Sequence, residues 1–258
     1  MMRDPKSLLI WCLAAFLSGS IPFGLLLVKL AGKGDVRAHG SGNIGATNVS
    51  RVGGKLLGVI TLLLDVLKGF LPVYLAKQAG VGFDALSLLA LAAVLGHVYT
   101  PWLKFQGGKG VATALGVIVA VEPQMVVLPL GMFALALWLT RHVSLGSILA
   151  AIMVPVQLYL ARSFFSVFGG SWLRDLPSLL PWAALALLVV WKHQENRVQA
   201  LGREGDPPCL RRTSASSAPA PGARPWPSPG PGPAPGWPSG AASRTRWPTW
   251  PSIATTPG

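Results

Sequence analysis

Three polar clusters rich in hydrogen-bond donors interrupt an otherwise apolar chain. The first is Gly40-Ser41-Gly42-Asn43-Ile44-Gly45-Ala46-Thr47-Asn48-Val49-Ser50-Arg51, and no carboxylate lies between Ala38 and Leu64. Its glycines let the backbone turn tightly and present N–H groups. Its hydroxyls and amides add donors, and Arg51 carries a planar fork matched to phosphate oxygens. The second is Phe105-Gln106-Gly107-Gly108-Lys109-Gly110, which runs into Val111-Ala112-Thr113. Glycines before an apolar helix start leave unpaired N–H groups at the positive end of the helix dipole, an anion site to which Lys109 adds charge. The spacing is not that of a nucleotide P-loop, because Gly110 follows the lysine. The third cluster is His193-Gln194-Glu195-Asn196. There His193 and Asn196 share a helical face, and the imidazole can donate to an oxyanion or relay a proton near neutral pH. Plain alternatives stand beside each reading: a solvated loop, a lysine that only sets topology, a histidine that only caps a helix.

The elements that must position these groups are membrane helices. The chain has 258 residues, 51% of them hydrophobic and 12% charged. That is too apolar for an ordinary soluble domain. Apolar blocks run over about 8–30, 54–76, 85–102, 110–121, 124–140, 144–161 and 177–191, most of them near the length a bilayer core demands. The expected fold is therefore an all-α, polytopic membrane bundle of about seven transmembrane helices. Five or six spans with a re-entrant segment is the alternative, since the fourth block is short. The first block is too long for a signal-peptide core and reads as a retained helix. Ser18-Gly19-Ser20-Ile21-Pro22-Phe23-Gly24 should break it, and Glu122-Pro123 should separate the fourth block from the fifth. Asp65 and Lys68 lie about one turn apart in the second block, a spacing suited to an ion pair. Arg141-His142-Val143-Ser144 opens a later helix, with Ser147 one turn beyond Ser144.

Basic residues give the direction. Lys33, Arg37, Arg51, Lys104, Lys109, Arg141, Lys192, Arg197 and Arg203 fall on one side, so the positive-inside rule puts the N-terminus outside and the C-terminus in the cytoplasm. All three clusters then face the cytoplasm. The net charge of +13 suits anionic head groups and a phosphorylated substrate. Nucleic acid is not expected, because no zinc-finger, basic-zipper or aromatic-basic sheet pattern occurs. Cys12 and Cys209 are too far apart across the bilayer to pair. No metal constellation, nucleotide fingerprint or nucleophile elbow is present, so no metal or cofactor is expected. Such an enzyme would lean on backbone N–H groups, hydroxyls and positive charge. Two domains are expected: 1–205 in the membrane, and a Pro/Gly/Trp-rich tail, 206–258, that should not form a packed core.

The first cluster resembles the leading motif of the bacterial membrane glycerol-3-phosphate acyltransferases that use acyl phosphate as donor. Leu63 to Gly69, Phe105 to Thr113, Val143-Ser144-Leu145, and His193 with Asn196 continue the likeness over roughly residues 8–205. The resemblance implies a seven-helix inner-membrane enzyme. It would transfer an acyl group from acyl phosphate to the sn-1 hydroxyl of glycerol 3-phosphate, giving 1-acyl-glycerol 3-phosphate and inorganic phosphate, with assistance from the substrate phosphate. It implies Ser41, Arg51, Lys109, Ser144, His193 and Asn196 as catalytic residues. Gly40, Gly42, Asn43, Thr47, Asn48, Gly107, Gly108, Gly110 and Glu204 would bind substrate, with Thr47 and Asn48 acting more as loop organisers. The family places a glycine and a glutamate ten and twelve residues after the third-motif histidine. Here those positions are Arg203 and Gly205, and Gly202 and Glu204 fall one residue early. The competing function is a membrane transporter for an anionic phospho-metabolite, which would share broken helices and glycine-rich mouths. A transporter should show related halves, and the three clusters do not pair as two copies.

Overall fold

The computed structural model describes residues 5–167 and 176–205. All of this lies within the unit Met1–Ala215. The tail 206–258 falls outside the described residues, and Cys209 with it.

The described residues form an all-α bundle. Its helices are α1 (Pro5–Ser20), α2 (Phe23–Leu30), α3 (Ala46–Gly53), α4 (Lys55–Gln78), α5 (Phe83–Val98), α6 (Val111–Val121), α7 (Val127–Thr140), α8 (Val143–Val167) and α9 (Leu176–Gly205). Five stretches among the described residues are long and apolar enough to cross a membrane: Pro5–Leu30, Lys55–Gln78, Phe83–Leu103, Pro123–Thr140 and Val143–Ala161. Outward-facing Leu9, Ile10, Leu13, Leu63, Trp138 and Leu187 are exposed, as lipid-facing positions should be.

The fourth apolar block folds as α6, only 11 residues long. At ~1.5 Å per residue it reaches about half of the ~30 Å bilayer core. The first block breaks where Pro22 predicts, between α1 and α2. That break leaves the carbonyls of Ser20 and Ile21 outside the helical ladder; Ile21 O accepts the Phe23 N–H at 3.1 Å, and each accepts from a side chain distant in sequence. Ser20 O accepts from Thr100 Oγ1 at 2.6 Å, and Ile21 O accepts from Lys68 Nζ at 2.7 Å. Satisfaction by neighbours is what makes such a break tolerable within a bilayer.

α5 is the centre of the bundle. Leu89, Ala90, Ala93, Val94 and Val98 are fully buried on it, and α1, α4, α6 and α9 surround it. Lipid gives apolar faces no preference for one another, so close backbone approach has to hold the helices together. Two reciprocal glycine contacts provide that approach. A methyl on Gly19 of α1 would overlap Ala93 O, and one on Gly96 of α5 would overlap Phe16 O. Between α4 and α6, Gly116 lies against Val66 O, and Gly69 against Thr113 O, in the same way. Trp182 Nε1 donates to Ser87 Oγ at 3.0 Å and ties α9 to α5. Lys192 adds a second tie, its ammonium 5.2 Å from the Tyr99 ring centroid. The expected Asp65–Lys68 ion pair is present at 2.8 Å, with both side chains 2% exposed.

Candidate active site

The first cluster folds around one amide. Asn48, in the first turn of α3, is 2% exposed. Its Nδ2 donates to the carbonyls of Val36 and His39 at 3.1 Å and of Asn43 at 2.8 Å. Its Oδ1 accepts the Ser41 N–H at 2.9 Å. Three acceptors share two hydrogens, so the Asn48 amide is fully used inside the protein. Asn43 Oδ1 accepts the Gly45 N–H at 2.8 Å, a local turn that leads into α3. Upstream, Asp35 caps one helical turn through the Arg37 N–H at 2.9 Å and pairs with the Arg37 guanidinium at 2.6 Å. That hydrogen-bonded guanidinium draws the Asp35 carboxyl down to about 2. With its core closed, the loop turns Gly40, Ser41 and Thr47 outward, and Arg51 stands exposed in the last turn of α3.

The second cluster returns onto the end of α5. Gly107 N–H donates to Val98 O at 2.9 Å, and Gly108 N–H to His97 O at 3.1 Å. A side chain on Gly108 would run into the His97 ring. These two amides therefore point into the protein and not toward a ligand, which corrects the reason for their glycines: the glycines permit contact with α5. The donors left without a backbone acceptor at this mouth lie further along. Gly110 turns with a φ of +83°, α6 follows, and its first turn bond is Ala114 N–H to Gly110 O at 2.7 Å. The amides of Val111, Ala112 and Thr113 have no backbone acceptor among the described residues, as the first turn of a helix requires.

In the third cluster, His193 is 4% exposed, and its Nδ1 lies 2.8 Å from Val189 O. A carbonyl only accepts, so Nδ1 carries the proton and neutral His193 presents Nε2 as an acceptor. Asn196 and Glu204 lie on α9, with side chains outside the described residues. Ser144 opens α8 with an exposed side chain, and no described contact joins it to the other site residues.

Electrostatics bring three clusters together. Burial, and after it the charge of Arg51, holds the Lys109 ammonium below its ordinary value. Burial likewise lowers His193. The Val189 carbonyl opposes that shift, and the charge of Lys109 adds to it. Arg51 from α3 thus acts on Lys109 from the turn before α6, and Lys109 acts on His193 from α9, although the three are far apart in the chain. Among the described residues neither Arg51 nor Lys109 has a carboxylate partner. Like charges that lack a counter-ion among the described residues, beside helix amides without a backbone acceptor, suit an anion.

The model of the family described as glycerol-3-phosphate acyltransferase matches residues 9–202. The glycerol-3-phosphate acyltransferase of Syntrophotalea carbinolica is 44% identical over 192 residues, 74% of this chain and 92% of that protein. The one from Geobacter sulfurreducens is 46% identical over 189 residues, 73% and 91% respectively. Among solved structures, the chain is similar to PlsY (YgiH), an integral membrane glycerol 3-phosphate acyltransferase. The glycerol 3-phosphate form matches with TM-score 0.66 and 39% identity, over 80% of this chain and 98% of that one. The lysophosphatidic acid form matches with TM-score 0.63 and 40% identity, over 76% and 92%.

Proposed function

Because the chain belongs to the glycerol-3-phosphate acyltransferase family, we propose that Arg51, Lys109 and His193 mark the site where it moves an acyl group from acyl phosphate to glycerol 3-phosphate. The observation that carries this reading is that the charge of Arg51 reaches Lys109 and that of Lys109 reaches His193, while neither Arg51 nor Lys109 pairs with a carboxylate among the described residues. Both substrates are phosphorylated, and a cluster of this kind holds anions that water would otherwise keep apart.

The sn-1 hydroxyl oxygen attacks the acyl carbonyl carbon. The bond from that carbon to the phosphate oxygen breaks, and the departing phosphate takes the hydroxyl proton. The products are 1-acyl-glycerol 3-phosphate and inorganic phosphate. Phosphate is a good leaving group and its own base, so the protein's work is placement and charge stabilisation. Arg51 and the outward Ser41 hydroxyl hold phosphate oxygens. Lys109 and the Val111–Thr113 amides hold a second phosphoryl group and favour negative charge as it grows at the reacting centre. His193, neutral near pH 7, accepts the glycerol hydroxyl at Nε2 and aims its oxygen. Ser144 and Asn196 complete the polar wall, with Glu204 beyond them. Gly40, Gly42, Asn43, Thr47 and Asn48 shape the first loop, Asn48 from inside it. Gly107, Gly108 and Gly110 shape the second.

The chain has seven spans, with α6 as the short one and α9 as the last. Its N-terminus is outside and its C-terminus and active site are cytoplasmic, because the basic loop residues alternate to that side. Residues 1–205 form the membrane-embedded catalytic domain, and 206–258 is an appended tail.

The test is a transfer assay with purified protein, glycerol 3-phosphate, and acyl phosphate or acyl-CoA as donor. Acyl phosphate should give equal amounts of phosphate and 1-acyl-glycerol 3-phosphate. Binding of both substrates without transfer would overturn the reading, and substrate flux into liposomes without transfer would favour a transporter.

A further inference from the structure

A buried polar chain runs from the break in the first span to the second cluster, and the reaction as described does not use it. Lys68 Nζ bonds Ile21 O at 2.7 Å and Asp65 Oδ1 at 2.8 Å. The same Asp65 oxygen lies 3.9 Å from His97 Nδ1. His97 is 3% exposed. Its carbonyl accepts the Gly108 N–H at 3.1 Å, and its ring occupies the place a Gly108 side chain would take. Among the described residues, the buried side-chain polar atoms without a hydrogen-bond partner are His97 Nδ1 and Thr113 Oγ1. One sits beneath the Lys109 turn and the other in the first turn of α6, so the two orphans bracket the proposed phosphate-binding backbone. Ionisable groups inside a membrane bundle are costly, and those retained there commonly serve function.

We propose that His97 is a positioning residue for acyl transfer: its ring seats the Gly107–Gly110 backbone so that Lys109 and the α6 amides meet one phosphate together. Asp65 Oδ1 faces Nδ1 from 3.9 Å, beyond hydrogen-bond reach, so packing and not that carboxylate holds the ring. The ring then stands as a strut between α4 and the turn. A displacement of about 1 Å at such a turn is enough to lower turnover by roughly 100-fold. The assignment rests on Lys109 being a phosphate ligand.

The two claims separate experimentally. In His97→Asn the amide ends at the depth of Nδ1 and falls short of Gly108. In His97→Gln it reaches one bond further out, to the depth of Nε2, where the ring meets Gly108. His97→Asn should lose roughly 10- to 100-fold in kcat/KM for acyl phosphate, mostly in kcat, and His97→Gln should lose clearly less. In a Lys109→Met background His97→Asn should add less than about twofold, because the turn no longer carries its charge. If His97→Asn does not fold, Gly108→Ala reads the same contact from the other side. Its methyl collides with the ring, and the shorter side chain of the Gly108→Ala/His97→Asn double variant should restore most of the activity it loses. Equal activity of His97→Asn and parent overturns the proposal. So does a His97→Asn loss that multiplies fully with Lys109→Met, or a Gly108→Ala defect that His97→Asn leaves unchanged. A Lys109→Met variant with parental activity overturns the phosphate-ligand reading instead.

Discussion

Replacing Lys109 with methionine keeps the stem and removes the charge. Lys109 makes no ion pair among the described residues, so the fold should lose little. The effect belongs to the bound anion. A hydrogen bond from a charged donor contributes ~1.5–3 kcal/mol, which corresponds to roughly 10- to 150-fold in kcat/KM. The half-buried position keeps water from screening the charge fully, so the loss should exceed the ~0–1 kcal/mol of an exposed pair. The assay is initial-rate phosphate release at saturating glycerol 3-phosphate and varied acyl phosphate, on parent and variant with matched thermal unfolding. A second readout follows from His193. Burial and the Lys109 charge place its folded pKa below the ordinary 6.5, so the unfolded chain takes the proton first as pH falls. The stability linked to His193 is whole above about pH 6.5 and is lost as pH drops below it. Removing Lys109 lifts one of the two depressing causes, and burial, the larger, remains. The variant should therefore lose less stability than the parent between pH 7.5 and pH 5. A kcat/KM within twofold of the parent would refute the charge argument, and identical acid sensitivity would refute the coupling to His193.

Asn48→Ala should remove the described partner of the Asn43 carbonyl and of the Ser41 amide, and one of two donors to the Val36 and His39 carbonyls, at a cost of about 1–3 kcal/mol. KM for glycerol 3-phosphate should rise more than kcat falls, measured in the same assay; unchanged KM would return the first loop to a passive role. Asp65→Asn should strand the Lys68 charge inside the bundle and cost about 3–5 kcal/mol. Thermal unfolding should show Asp65→Asn/Lys68→Met recovering more than half of that loss, and an Asp65→Asn protein as stable as the parent would show the pair to be dispensable.

Much of this architecture is legible in the residues themselves. Pro22 and Pro123 mark breaks because proline cannot donate, and the 110–121 block is visibly too short for a span. The Asp65–Lys68 pair follows from helical spacing. Arg51 and Lys109 stand out because basic groups at helix mouths lack acidic neighbours in sequence, and His193 because it closes the last apolar block. Direction is what the string of letters does not carry. Gly107 and Gly108 read as phosphate donors, yet their N–H groups turn toward Val98 and His97, a choice made by the packing of a distant helix end. The second partner of Lys68 is a carbonyl 47 residues away, and no local pattern encodes it. His97 does not stand out in the sequence because it sits within an apolar run. The available signal was its type: an ionisable side chain inside a span is rarely idle.

The break at Pro22 also bears on how the molecule is built. During synthesis the first span enters the bilayer well before Lys68 and Thr100 exist to receive Ile21 and Ser20. Until the third span arrives, Ser20 O lacks its donor in a medium with little to offer it, while Ile21 O keeps the Phe23 N–H and lacks only Lys68. The opening segment thus acquires its full set of partners only from residues that leave the ribosome after it.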